Sequence, residues 1–404
     1  MSGPATIQDF LALVRQSGLV EERTLTELMQ RCSRLPEPLD TPFKLAGQMV
    51  KETLLTHFQA DQLLQGRWRR FSIGRYKVLD QLGAGGMGAV YLCEHKHMRR
   101  RVAVKVLPIA RTINSSCLER FYREARAIAA LNHPNIVRAY DIDQDEALHF
   151  MAMEYVEGAS LQDHVRRHGP LSPLQAVHYM RQAAHGLQHV YESGLVHRDI
   201  KPGNVLVDLT GSVKILDLGL ARFYQDEADD VSVRHDEQVL GTVDYLSPEQ
   251  ALNSHDVDIR SDIYSLGCTI YYCLTGKPPF QDGTAAQKLI WHQTRHPKAI
   301  KHFRNDVPRD LVRLLDRAMA KRPRDRFQTP AELVEALGKL ALLSGETRSD
   351  KASRTLTKPH QWWPKPRRWE WRWRWLEVAL GALLLLGSAA LLLVLLYMTW
   401  SGAK

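Results

Sequence analysis

Leu195-Val-His-Arg-Asp-Ile-Lys-Pro-Gly-Asn-Val205 is the stretch that decides how the chain is read. Apolar residues flank a short polar loop holding a carboxylate (Asp199), a lysine two residues on (Lys201) and an asparagine three further on (Asn204). These side chains suit one kind of chemistry. A carboxylate can take the proton of a hydroxyl, a lysine can hold an anionic group in transfer, and an asparagine can ligate a hard divalent cation.

Upstream, from Tyr76, the pattern is one of short β runs: Tyr76-Lys-Val-Leu, Ala89-Val-Tyr-Leu-Cys and Arg101-Val-Ala-Val-Lys-Val-Leu107. The first two bracket Leu82-Gly-Ala-Gly-Gly-Met-Gly-Ala-Val90. A lone GxGxxG also fits a dinucleotide-binding turn, but that turn opens a helix, whereas this one runs into the strand-like Val90-Tyr-Leu. Between two strands, a glycine loop is a hairpin flap whose bare backbone can close over phosphates. Lys105 lies inside an apolar strand, where a lysine is costly unless paired. Alone it also reads as an edge residue, and Glu124, on a helical run over residues 118–131, reads alone as an exposed helix charge. Phe150-Met-Ala-Met-Glu-Tyr-Val-Glu-Gly158 reads as a buried strand leaving through a linker. Helical segments follow over 161–193, broken at Leu171-Ser-Pro173. Past Asn204, Val213-Lys-Ile-Leu-Asp-Leu-Gly219 offers another carboxylate at Asp217.

In this order the motifs resemble the protein kinase family. The nearest resemblance is to bacterial Hanks-type serine/threonine kinases, with Gly-Gly-Met-Gly in the glycine loop and Lys-Pro-Gly-Asn in the catalytic loop. The resemblance covers roughly residues 76–340. It implies an α+β, two-lobed protein kinase fold, with a small β-rich N-lobe and a larger helical C-lobe. It implies transfer of the γ-phosphoryl of ATP to serine or threonine hydroxyls of proteins, with magnesium (or manganese) as the metal.

The same resemblance implies roles residue by residue. Leu82, Gly83, Ala84, Gly85, Gly86, Met87 and Gly88, with Val90 and Ala103, enclose the nucleotide. Lys105, steadied by Glu124, holds the α and β phosphates. The backbone of Glu154 and Val156 meets adenine, with Met153 guarding the back pocket. Asn204 and Asp217 hold the metal, Lys201 steadies the γ-phosphoryl and Asp199 orients the hydroxyl. Asp-Leu-Gly stands where the family usually has Asp-Phe-Gly, keeping the carboxylate and the glycine, so activity is expected to survive. The activation segment runs from Asp217 to Ser247-Pro-Glu249. Its one serine or threonine before Gly241-Thr242 is Ser232, beside the acidic Asp226-Glu-Ala-Asp-Asp230. Ser232 is expected to be a phosphosite facing Arg198, or the acidic run to stand in for it. Thr242 resembles the threonine that contacts Asp199 and Lys201 in the family's Ser/Thr members. Asp262 is expected to hold the catalytic-loop backbone, and Arg326 to pair with Glu249. Gly203 replaces an acidic residue common in kinases of basic substrates, so a preference for arginine-rich sequences is not expected.

The flanks are organised differently. Residues 1–70 carry apolar residues at helical spacing, with Thr41-Pro42 as a helix start, and read as a helical extension without a catalytic constellation. The kinase-like region runs over 76–342 and a linker over 343–377. The linker opens polar and ends in Trp362-Trp-Pro-Lys-Pro-Arg-Arg-Trp-Glu-Trp-Arg-Trp-Arg-Trp375. Residues 378–400 are 23 in a row without a charge, enough to span a bilayer as a transmembrane helix. Residues 401–404 follow as a short outer tail. Nine of the chain's basic residues and three acidic ones lie within 348–377, which accounts for +6 of its net +9. The basicity is therefore local. It predicts a single-pass protein of the cell membrane with the kinase region in the cytoplasm, and argues against a nucleic-acid-binding face. Input to the enzyme is then expected from the cytoplasm, from the N-terminal helical module or from the bilayer.

Two other classes compete. A pseudokinase scaffold would bind nucleotide or partners without turnover, which Lys105, Asp199, Asn204 and Asp217 argue against. A small-molecule kinase of the same fold would not need the Gly241-to-Glu249 peptide platform. Autophosphorylation, through a homodimer, accompanies the kinase reading. Five cysteines without regular spacing suggest neither a disulfide framework nor a zinc site.

Overall fold

The computed structural model describes residues 3–34, 39–85, 88–107, 122, 125–126, 128–216, 243–252 and 257–343. Four short helices come first: α1 (Ile7–Ser17), α2 (Glu22–Cys32), α3 (Pro42–Lys51) and α4 (His57–Leu64). Each of α1, α3 and α4 starts at a threonine (Thr6, Thr41 and Thr56) whose hydroxyl accepts an N–H of the first turn. Their apolar faces make a small core of Phe10, Val14, Leu25, Leu28, Leu45, Met49 and Leu63, all essentially inaccessible to solvent. Each such leucine or phenylalanine contributes about 2 kcal/mol.

The β-rich lobe is a six-stranded sheet in the order β1-β2-β3-β4-β6-β5. Its strands are β1 (Ser72–Ile73), β2 (Tyr76–Gly85), β3 (Gly88–His95), β4 (Arg101–Val106), β5 (Ala139–Asp145) and β6 (Leu148–Glu154). Every pair is antiparallel. The alternation of Val102, Val104 and Val106 against Ala103 and Lys105 sends successive side chains to opposite faces of β4. The valines join Tyr76, Val78, Cys93 and Phe150 in one apolar layer. Ala103 packs on the other face with Ala125, Ile128, Met151 and Met153.

The larger lobe is helical around α5 (Leu161–His168), α6 (Pro173–Glu192), α7 (Pro248–Leu252), α8 (Ile259–Thr275), α9 (Ala285–Thr294), α10 (Arg309–Ala318) and α11 (Pro330–Leu343). A three-stranded ribbon of β7 (Gly158–Ser160), β8 (Val205–Asp208) and β9 (Val213–Ile215) accompanies it. α8 is buried almost all round, as a helix at the centre of a lobe must be. Two of its buried hydroxyls are satisfied within the helix: Thr269 donates to the Ser265 carbonyl (2.9 Å) and Thr275 to that of Tyr271 (2.8 Å). Met180, Leu187, Ile263, Leu266, Ile270, Leu315 and Leu337 are among the apolar residues of that core. Among the described residues no helix is long and apolar enough to cross a membrane. The run 378–400 and its preceding linker lie outside the described residues.

Candidate active site

Asp199, Lys201 and Asn204 converge. Lys201 Nζ lies 2.9 Å from Oδ2 of Asp199. Asn204 Nδ2 donates to that same oxygen and to the Asp199 backbone carbonyl, each at 2.8 Å. Spending Nδ2 on Asp199 leaves Oδ1 as the acceptor of Asn204, a hard oxygen of the kind magnesium prefers. Asp199 is buried with Asn204, so two donors compensate a carboxylate held out of bulk water.

The loop carrying these side chains is fastened from below. The buried carboxylate of Asp262, in the first turn of α8, accepts the backbone N–H of His197 on Oδ2 (2.7 Å) and that of Arg198 on Oδ1 (2.8 Å). Gln250 Nε2 donates to the Arg198 carbonyl at 2.8 Å. His197 is fully buried. Its Nδ1 accepts the Asp199 N–H (3.2 Å), so Nε2 carries the proton it shares with the Leu216 carbonyl (2.7 Å). Leu216 immediately precedes Asp217, and its own N–H donates to the Asn204 carbonyl at 2.9 Å. The catalytic loop and the strand that leads to Asp217 are thereby pinned together. Nothing but the place of His197 beside Arg198 and Asp199 hinted at this role, and neither Gln250 nor Leu216 was singled out from sequence.

The glycine segment is a hairpin. Gly83 faces Val90, Ala84 faces Ala89 and Gly85 faces Gly88 across β2 and β3. Gly88 sits at φ 105°, a conformation that favours glycine. Leu82 is exposed at its base, and Gly86 and Met87 lie outside the described residues. Behind the hairpin, β4 sets Lys105 opposite Val90 and Met151, and Ala103 opposite Leu92 and Met153. Lys105 is 6% exposed. Val90, Ala103, Met153, Val156 and Leu216 meet in one apolar cluster. Glu154 ends β6, with Val156 just past it. The Glu154 carboxylate pairs with Lys214 of β9 at 2.8 Å and also accepts the Arg138 N–H at 3.3 Å, a tie between linker and ribbon that sequence did not announce.

Glu249 and Arg326 form a two-pronged pair, Nη1 to Oε1 at 2.6 Å and Nη2 to Oε2 at 2.8 Å. Glu124, Asp217, Ser232 and Thr242 lie outside the described residues. The site thus joins a carboxylate, a lysine and an amide in one loop, while β4 and β6 gather an apolar cluster beside the buried Lys105.

A model of the protein kinase domain matches residues 76–336. The serine/threonine-protein kinase PknB of Mycobacterium leprae is 41% identical over 263 residues, covering 64% of this chain and 42% of that protein. PrkC of Bacillus subtilis is 37% identical over 263 residues, covering 65% and 40%. The crystal structure of the PknI kinase domain of Mycobacterium tuberculosis superposes with a TM-score of 0.53 at 29% identity, covering 67% of this chain and 97% of that one. The matches span about two fifths of the length of PknB and PrkC.

Proposed function

Because the chain belongs to the protein kinase family, we propose that it transfers the γ-phosphoryl group of ATP to serine or threonine hydroxyls of proteins, its own among them. The observation that carries this is the Asp199 carboxylate held by Lys201 and Asn204 in a loop fastened to Asp262. Asp199 orients the acceptor hydroxyl and takes its proton. The hydroxyl oxygen bonds to the γ-phosphorus as the bond to the β–γ bridging oxygen breaks, and ADP leaves with those electrons. Lys201 steadies the group in flight and Lys105 holds the α and β phosphates. Asn204 and Asp217 would hold magnesium, or manganese in its place, which when bound would neutralise phosphate charge. The glycine hairpin covers the phosphates, and the apolar cluster of Val90, Ala103, Met153 and Val156 suits adenine.

The proposal extends to location. The uncharged run 378–400, preceded by a basic, tryptophan-rich linker, supports a single-pass anchor with the kinase region on the cytoplasmic face. Ser232 is proposed as an autophosphorylation site, reached in a homodimer.

The deciding measurement compares the whole chain with Asp199→Asn, using labelled ATP and magnesium. Asp199→Asn is expected to lose transfer by roughly 100-fold or more while still binding nucleotide. Equal turnover would remove the reading.

A further inference from the structure

Strand β2 has a weakly covered outer side. Its neighbour β1 pairs with Tyr76 and Lys77 alone, and the register against β3 slips between Val78 and Asp80, leaving Leu79 without a partner across the ladder. Backbone groups on such an edge must find other partners. The Val78 N–H finds the Phe71 carbonyl at 2.9 Å. Two carbonyls find α4. Gln59 Nε2 donates to the Val78 carbonyl at 2.6 Å, and the Thr56 hydroxyl donates to the Leu79 carbonyl at 2.5 Å.

The same two side chains build the start of α4. Thr56 Oγ1 accepts the Gln59 N–H (3.1 Å), and Gln59 Oε1 accepts the Thr56 N–H (3.0 Å). Gln59 thus gives Oε1 to the helix and Nε2 to the strand, while the single Thr56 hydroxyl serves both, accepting from the helix and donating to the strand. Gln59 is 1% exposed, so its amide has no water to fall back on. Phe58 adds a ring contact with Tyr91 of β3, centroids 6.4 Å apart, and Lys77 Nζ reaches the Leu19 carbonyl at 3.4 Å. Leu79 lies four residues before Gly83, and a second register slip falls between Gln81 and Gly83. The glycine hairpin is the far end of the strand pair that α4 grips.

We infer that Thr56 and Gln59 are positioning residues for nucleotide binding. By fixing the outer edge of β2 where its register slips, they set the pose of the paired strand ends, Gly83–Gly85 and Gly88, toward the phosphates of ATP. The N-terminal helices are then a working part of the ATP site. The inference rests on the phosphoryl-transfer reading above, and takes the phosphates as the groups the hairpin meets.

The test uses the whole chain with Gln59→Leu, Thr56→Val, Thr56→Ser and, as a control that opens the core of the helical segment on α2, Leu28→Ala. ATP KM and kcat are measured together with amide hydrogen exchange over residues 80–92. Gln59→Leu and Thr56→Val are expected to raise ATP KM about fivefold, to leave kcat within about twofold, and to speed exchange in the hairpin. Thr56→Ser keeps the hydroxyl and should match the unsubstituted chain, and Leu28→Ala should leave KM in place. Unchanged KM in both Gln59→Leu and Thr56→Val would overturn the inference, as would an equal rise in Leu28→Ala. An unsubstituted chain that transfers no phosphate would sink the phosphoryl-transfer reading itself. The exchange comparison needs no turnover and would still decide whether α4 holds the hairpin.

Discussion

Arg198 adopts φ 67°, and its backbone N–H donates to Oδ1 of Asp262 at 2.8 Å. A non-glycine residue in that left-handed region costs roughly 1–2 kcal/mol, and it persists here because its peptide groups are fixed on both sides, by Asp262 and by Gln250. Burial pushes the Asp262 carboxyl up from its ordinary value, against the pull of His197 and of the two N–H groups it accepts. In Asp262→Asn one acceptor oxygen becomes a donor aimed at an N–H. The expected outcome is a loss of about 1–3 kcal/mol in stability and at least a roughly tenfold fall in kcat, since Asp199 follows directly on Arg198. Urea unfolding and steady-state kinetics check it.

Arg326 is 1% exposed and uses all five of its N–H donors. Beyond the Glu249 fork, Nε meets the Ala320 carbonyl (2.7 Å), Nη1 that of Arg260 (2.9 Å) and Nη2 that of Lys321 (3.0 Å). Lysine keeps the charge but has three donors on one atom, so it cannot reproduce the fork. Arg326→Lys is expected to cost about 3 kcal/mol or more, and Glu249→Gln a comparable amount. Thermal unfolding of both variants measures this.

His292 of α9 is fully buried, with Nδ1 on the Tyr264 hydroxyl at 2.9 Å and its ring edge-on to Phe280. Burial, helped by the charge of Lys321, pulls its pKa from 6.5 down to about 3. In the fold the ring stays neutral, while the unfolded chain takes up a proton below 6.5. Its contribution to stability is therefore intact above pH 6.5 and is lost as the pH falls toward 3. Between pH 7 and 4.5 the loss is about 2 kcal/mol. Denaturant titrations at the two pH values should show a fall in stability that is smaller by about this amount in His292→Gln than in the unsubstituted chain, the half-buried His164 titrating in the same sense in both.

Gly158 begins β7 opposite Asp208 of β8. A methyl group there would lie 2.1 Å from the Val207 carbonyl oxygen and 2.8 Å from the Asp208 Cα, both backbone atoms that no rotamer change can move. Gly158→Ala is expected to part the β7–β8 ribbon, to cost about 1–3 kcal/mol, and to weaken nucleotide binding through the adjoining Glu154–Val156 linker. Chemical unfolding together with a nucleotide titration tests both effects.

Asp199, Lys201 and Asn204 were legible because their chemistry needs fixed residue types within six positions of one another. The glycine hairpin was legible because strand patterns flank it on both sides. Glu249 and Arg326 are 77 residues apart, and no local rule links them; the family resemblance alone suggested their pairing. The Lys214–Glu154 tie and the buried Gln59 had no such signal. Each depends on a register or a docking angle, and a one-residue slip of a strand sends a different carbonyl outward. Glutamine at position 59 looks in sequence like an ordinary polar helix residue, and its burial follows from where α4 lies against β2.

The grip of α4 on β2 bears on how this protein is handled in pieces. The family match begins at Tyr76, and a fragment cut there would lose both the Thr56 and the Gln59 donors. It would present the Val78 and Leu79 carbonyls on an uncovered strand edge, which is a template for pairing with another copy of itself. A fragment that starts ahead of Thr56 is therefore expected to stay monomeric where one that starts at Tyr76 self-associates, and gel filtration of the two would show it.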